Sequence, residues 1–128
     1  TYRDTIRNLK TYADKYGAKI IFVTQPYLWS KSLSEKDREQ IYAGFIGPDI
    51  MSSETKWYTP NALRTGLKAY NDILRLECEE AKLICVDAAK EMSGNSEFFY
   101  DDFHFSDLGA RHLGALVGAG LLDTATIK

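Results

Sequence analysis

Two short runs, Lys19-Ile20-Ile21-Phe22-Val23-Thr24 and Leu83-Ile84-Cys85-Val86-Asp87, decide the fold. Neither alternates apolar with polar residues. A strand with one face in water would alternate, whereas a strand covered on both faces of a parallel sheet reads as a continuous β-branched run. Between them Leu63, Leu67, Tyr70, Leu74, Cys78 and Ala81 recur at spacings of three and four. That period predicts an amphipathic helix, with Thr59 as its N-cap and Pro60 in its first position. Strand, helix, strand in this order predicts parallel pairing through a right-handed crossover, hence the α/β class.

Working outward, Tyr2, Ile6, Leu9, Ala13 and Tyr16 mark a first amphipathic helix that Gly17 ends. Pro26 stops the first strand. From Tyr27 to Thr59 the chain is polar and broken by Gly44, Gly47 and Pro48. One short helix is expected there, from Glu35 to Phe45, opened by a capping box Ser32-x-x-Glu35. A loop from Ser93 to Phe105 follows the second strand. Ser106 then caps a last helix that sends Leu108, Leu113, Leu116 and Val117 toward the core. No repeat, low-complexity tract or linker interrupts residues 1–128, so they are read as part of a single domain.

Two fully apolar parallel strands do not make a stable sheet alone, because each leaves backbone groups unpaired at an edge and needs cover on both faces. The remaining strands are therefore expected from an N-terminal part of the domain or from a complementing chain.

At 45% hydrophobic and 27% charged, the 128 residues have the composition of an ordinary globular domain. The net charge of −2 comes from 16 basic and 18 acidic residues spread along the chain, without the basic footprint that nucleic acid demands. Arg3, Arg7 and Lys10 recur at helical spacing and read as a solvated helix face. No apolar run is long enough for a transmembrane helix. Cys78 and Cys85 read as small core residues rather than a disulfide or metal pair, which leaves compartment and localisation unknown.

The distinctive polar chemistry lies in Phe99-Tyr100-Asp101-Asp102-Phe103-His104-Phe105-Ser106-Asp107-Leu108-Gly109. An aspartate three residues before a histidine is common by chance, but this pair sits in a loop after the last predicted strand. In open α/β sheets that is the crevice where ligands gather. An imidazole acting as general base needs a fixed tautomer, and a carboxylate accepting its Nδ1 proton supplies it. Asp102 is a second candidate partner, otherwise expected to face solvent or cap a turn. A metal site built from Asp101, Asp102, His104 and His112 is disfavoured because adjacent carboxylates point apart. His112 is expected to be a packed or surface side chain. Trp29, Trp57 and Tyr58 lie in or beside the long excursion, where they could contact sugar or acyl groups or anchor loops.

Tyr100 to Gly109 resembles the last block of the SGNH (GDSL-type) hydrolases, in which Asp-x-x-His gives the acid and base of a catalytic triad. Asp101 and His104 are the matching positions. Ile20 to Pro26 resembles that family's penultimate strand, and Tyr70-Asn71 with Leu83 to Asp87 its following helix and final strand, so the resemblance covers essentially the whole chain. It implies the C-terminal part of a flavodoxin-like three-layer α/β/α domain. It also implies ester hydrolysis or acyl transfer through serine, histidine and aspartate, without metal or cofactor, on a small-molecule or carbohydrate ester. The family's Gly-Asp-Ser nucleophile block, its oxyanion glycine and its Gly-x-Asn-Asp block are not found here, nor is a Gly-x-Ser-x-Gly elbow. A positioned base contributes roughly 10²–10⁴-fold and a lost oxyanion donor removes roughly 10²–10³-fold, so these residues alone are expected to be nearly inert. The alternative is a non-catalytic or split SGNH-like module that binds carbohydrate or a protein partner. Acyl and alcohol specificity, and the substrate-binding residues, stay open.

Overall fold

The computed structural model describes residues 1–29, 33–39, 41, 44–46 and 53–125. The elements run α1 (Tyr2–Lys15), β1 (Phe22–Val23), α2 (Glu35–Glu39), β2 (Phe45–Ile46), β3 (Lys56–Trp57), α3 (Pro60–Glu80), β4 (Cys85–Val86), α4 (Ala88–Met92), a 3-10 turn (Ser96–Phe98) and α5 (Asp107–Ala125). The protein is mixed α/β. Among the described residues its parallel sheet has two strands, in register Phe22 with Cys85 and Val23 with Val86. The Phe22 N–H donates to Ile84 O (2.9 Å) and the Thr24 N–H to Val86 O (3.1 Å), so the parallel order expected from the two apolar runs is present.

The pleat sends successive side chains to opposite faces, and each face has its own helical cover. On one face Phe22 packs with Ile6 of α1 and Leu74 of α3, joined by Ile20, Leu83 and Cys85. On the other, Val86, Ala88 and Met92 pack with Ile21, Val23, Leu113 and Leu116, the last two from α5. Helices on both faces explain why neither strand alternates. The approach of α5 is close: a Cβ on Gly120 would lie 2.8 Å from Val86 Cγ2.

Local chemistry sets the helix ends. Thr1 and Asp4 form a capping box on α1. At its other end Gly17, with φ +65°, lets the Ala18 N–H reach Ala13 O (2.9 Å) and its own N–H reach Asp14 O (3.1 Å). This is the Schellman closure that glycine makes inexpensive. Thr59 Oγ1 accepts from the Ala62 N–H (3.1 Å), with Pro60 first in the helix. Ser106 Oγ accepts from the Gly109 N–H (3.1 Å) and so caps α5.

Several expectations are corrected. Helix α2 covers Glu35–Glu39, and Phe45 belongs instead to a β2–β3 hairpin pairing Phe45 with Trp57 and Ile46 with Lys56. Its cap is Ser34, whose hydroxyl accepts from the Asp37 N–H (3.1 Å) while the Asp37 carboxylate accepts from the Ser34 N–H (3.3 Å); Ser32 lies outside the described residues. Leu9, Tyr16 and Leu108, expected on core-facing stripes, are exposed. A sheet two strands wide is too narrow to cover whole helix faces.

Cys78 and Cys85 form a disulfide, contrary to their reading as separate core thiols. The tight connection through Ala81 and Lys82 (φ +52°) folds the end of α3 back onto β4 and leaves the two Cα atoms 6.1 Å apart, within bridging range. Arg3 and Arg7 keep much of their side chains in solvent, 40% and 53% exposed, but the helix face they share is not only solvated. Both pair with Glu77, at 2.7 Å each, and the Glu77 side chain is fully buried. The hydrogen bonds from Arg7 hold the Glu77 carboxyl below its usual range despite burial. Lys10 pairs with Asp14 one turn away. Among the described residues, no helix is long and apolar enough to cross a membrane.

Candidate active site

Beyond the carboxyl ends of the strands the chain builds a loop on a narrow base. Phe99 and Phe105 bridge antiparallel, the Tyr100 N–H donates to His104 O (3.2 Å), and the Ser106 N–H donates to Phe98 O (3.0 Å). Gly109 is required there, since a Cβ would stand 2.0 Å from Phe98 O. The segment following β1 holds the same loop from its other side. The Leu28 N–H donates to Asp102 O (2.9 Å) and the Gly94 N–H to Tyr27 O (2.9 Å). Both post-strand segments therefore meet at the loop, which places it at the crevice where open α/β sheets carry ligands.

Inside the loop Asp101 organises everything near it. One carboxylate oxygen, Oδ1, accepts from the backbone N–H groups of Phe103 (2.9 Å) and His104 (2.7 Å). The other, Oδ2, lies 2.7 Å from His104 Nδ1. Asp101 is 6% exposed. Burial opposes its ionisation, but the amide donors of His104 and Phe103, together with the imidazole, prevail and hold the carboxyl below its ordinary range. An ionised carboxylate only accepts hydrogen bonds, so the Nδ1 that faces it carries a proton. The imidazole stacks on Tyr100 (centroids 5.7 Å, planes 9° apart) and meets Phe103 at 4.3 Å. Its side chain remains 47% exposed, so a reacting group can approach it from solvent.

The expected pair, Asp101 and His104, is thus brought together, and Asp101 rather than Asp102 faces Nδ1. Asp102, expected to face solvent or cap a turn, does not face solvent: it is fully buried, and its carbonyl accepts from the Leu28 N–H. His112 stacks on Phe98 at 4.7 Å, a packed histidine as expected. Among the described residues, no cluster of three or more His, Cys, Asp or Glu could hold a metal ion.

The sequence reading missed a polar clamp at the strand ends. Thr24 Oγ1 donates to Asp87 (2.8 Å), and the Arg75 guanidinium grips the same carboxylate through two bonds of 2.8 Å. Asn71, buried on α3, accepts from the Gln25 N–H and donates to Gln25 O, both at 2.9 Å. Arg75, foremost, and Thr24 hold the Asp87 carboxyl below its usual range. In the sequence Asn71 stood out only beside the apolar stripe of its helix and within the Tyr70-Asn71 match of the resemblance, neither of which gave its partner.

No family model, curated protein or solved structure matches this chain. The functional reading therefore rests on the residues themselves.

Proposed function

We propose that the chain is the C-terminal part of a serine-dependent SGNH-type ester hydrolase with a flavodoxin-like three-layer α/β/α fold, in which His104 is the general base and Asp101 its orienting acid. The observation that carries the reading is the 2.7 Å contact between Asp101 Oδ2 and His104 Nδ1 in a loop at the carboxyl ends of parallel strands. In this reading Nε2 takes the proton of a serine hydroxyl as that oxygen attacks the ester carbonyl, and returns it to the leaving alkoxide. Asp101 stays ionised throughout and stabilises the imidazolium. Water, entering by the same general base, then releases the acid.

The serine and the oxyanion donors belong, in this proposal, to a segment or complementing chain that also supplies further strands. Parallel geometry supports that placement. Phe22 and Thr24 turn their N–H groups to β4, so those of Ile21 and Val23 face the opposite edge of β1. A second reading, a non-catalytic or split SGNH-like module, is favoured by the lack of a nucleophile block in these 128 residues.

In the complete domain, His104→Ala is expected to lower esterase turnover by about 10³-fold or more, as removal of a triad base does. Wild-type turnover in that variant would refute the assignment.

A further inference from the structure

Helix α3 runs against the strands, and Asn71 is the point where it passes the carboxyl end of β1, through its paired bonds with Gln25. The residues before Asn71 therefore project beyond the sheet, on the same end as the His104 loop; from Asn71 back to Ala62 this is about 14 Å of helix. Trp29 stands beside this projection. Its backbone is fixed one residue after Leu28, whose N–H holds Asp102 O (2.9 Å). A groove of about 400 Å³ opens there, lined by Trp29, Tyr58, Leu63, Gly66, Leu67 and Tyr70. That volume falls in the range of small-ligand clefts, about 300–1,000 Å³.

Three features specify what fits. Among the described residues no charged side chain and no carboxamide lines the groove. A saccharide would bury hydroxyls with almost no partners, which is costly, whereas a hydrocarbon chain loses nothing there. Gly66 sits in the interior of α3, where glycine is disfavoured, yet no atom of the described residues lies within 4 Å of the place its Cβ would occupy. Among the described residues no packing demand explains a glycine there; its effect is to leave the groove floor open. At one end Gly44, with φ +87°, approaches Leu63 so closely that a Cβ would stand 2.6 Å from Leu63 Cδ2, which brings the hairpin against the groove.

We propose that this groove binds a medium-length hydrocarbon chain, the acyl part of the ester presented to His104. In assigning the chain to an acyl group the inference rests on the ester-hydrolase reading; the binding of a hydrocarbon does not. It selects fatty-acyl esters over acetylated sugars, and at this site it displaces carbohydrate as the ligand.

Trp57→Phe leaves Trp29 as the sole tryptophan, since the chain has two. Titrating decanoate into that variant is expected to change the Trp29 fluorescence saturably, and acetate or maltose to leave it unchanged. Calorimetry on the wild-type chain gives a second readout. Gly66→Leu raises helix propensity and should melt no lower, yet weaken decanoate binding by about tenfold or more, the scale of a methylene displaced in an apolar pocket. Decanoate that fails to bind, or that binds Gly66→Leu as tightly as wild type, overturns the groove. Because binding is read without turnover, the two readings fail separately. His104-dependent hydrolysis of a short ester by the complete domain, without decanoate binding, sinks the groove alone. Decanoate binding that Gly66→Leu weakens, alongside a complete domain that hydrolyses no ester, supports the groove and sinks the hydrolase.

Discussion

Asp101 carries more of the site than its partner does, because its two oxygens serve different ends. One holds the turn through two backbone donors and the other holds the imidazole. The spacing Asp101-x-x-His104 was legible in the sequence because a three-residue loop brings a carboxylate under a following imidazole. The burial of Asp102 was not, since it depends on a bond from Leu28, 74 residues away in the chain. The electrostatics give a sign. The carboxyls of Asp101, Asp87 and Glu77 all lie below their ordinary range in the folded protein. Groups shifted this way stabilise the fold above the unfolded-chain pKa of about 4, and lose that contribution as pH falls through the folded value. The Tm is therefore expected to stay flat from neutrality to about pH 5 and to fall steadily below about pH 4. Asp101→Asn should flatten part of that fall. A Tm that rises on acidification through this window would contradict the assignment of these carboxylates.

At the scale of elements, α1 and α3 were readable because each carries a 3.6-residue period and a cap that local chemistry explains, whereas α5, apolar on most sides, was marked by its Ser106 cap. The hairpin was not readable: strands of two residues have no period, so nothing local announces that Phe45-Ile46 pairs with Lys56-Trp57. The disulfide was hidden for a related reason. Two cysteines seven apart reveal a bridge only once the turn through Lys82 is known. Closing so short a loop is worth roughly 2.5 kcal/mol on the chain-entropy estimate. Cys78→Ser with Cys85→Ser is thus expected to lower the Tm by on the order of 10 °C, read by calorimetry at fixed pH. Equal melting of the double variant and the wild type would show that the bridge does not form. Reagents that alkylate free thiols should also leave the unreduced protein unmodified.

For the whole molecule, the two apolar runs foretold a parallel pair covered on both faces, and the core divides accordingly between α1 with α3 and α5 with α4. How much of each helix face would be buried was not legible, because it depends on how many strands lie beneath it. Leu9, Tyr16 and Leu108 stay exposed. The proposed function has the same dependence: Asp101 and His104 stand together at the carboxyl ends of the two described parallel strands, and the ester-hydrolase proposal needs a serine from elsewhere. The most direct measurement is the intact mass of the complete domain before and after a fluorophosphonate, which labels only activated serines. One adduct on a serine outside residues 1–128, with labelling slowed at least about 10²-fold by His104→Ala, is the expected result. No adduct, or labelling at the same rate without His104, would contradict a serine hydrolase and leave a binding module in its place.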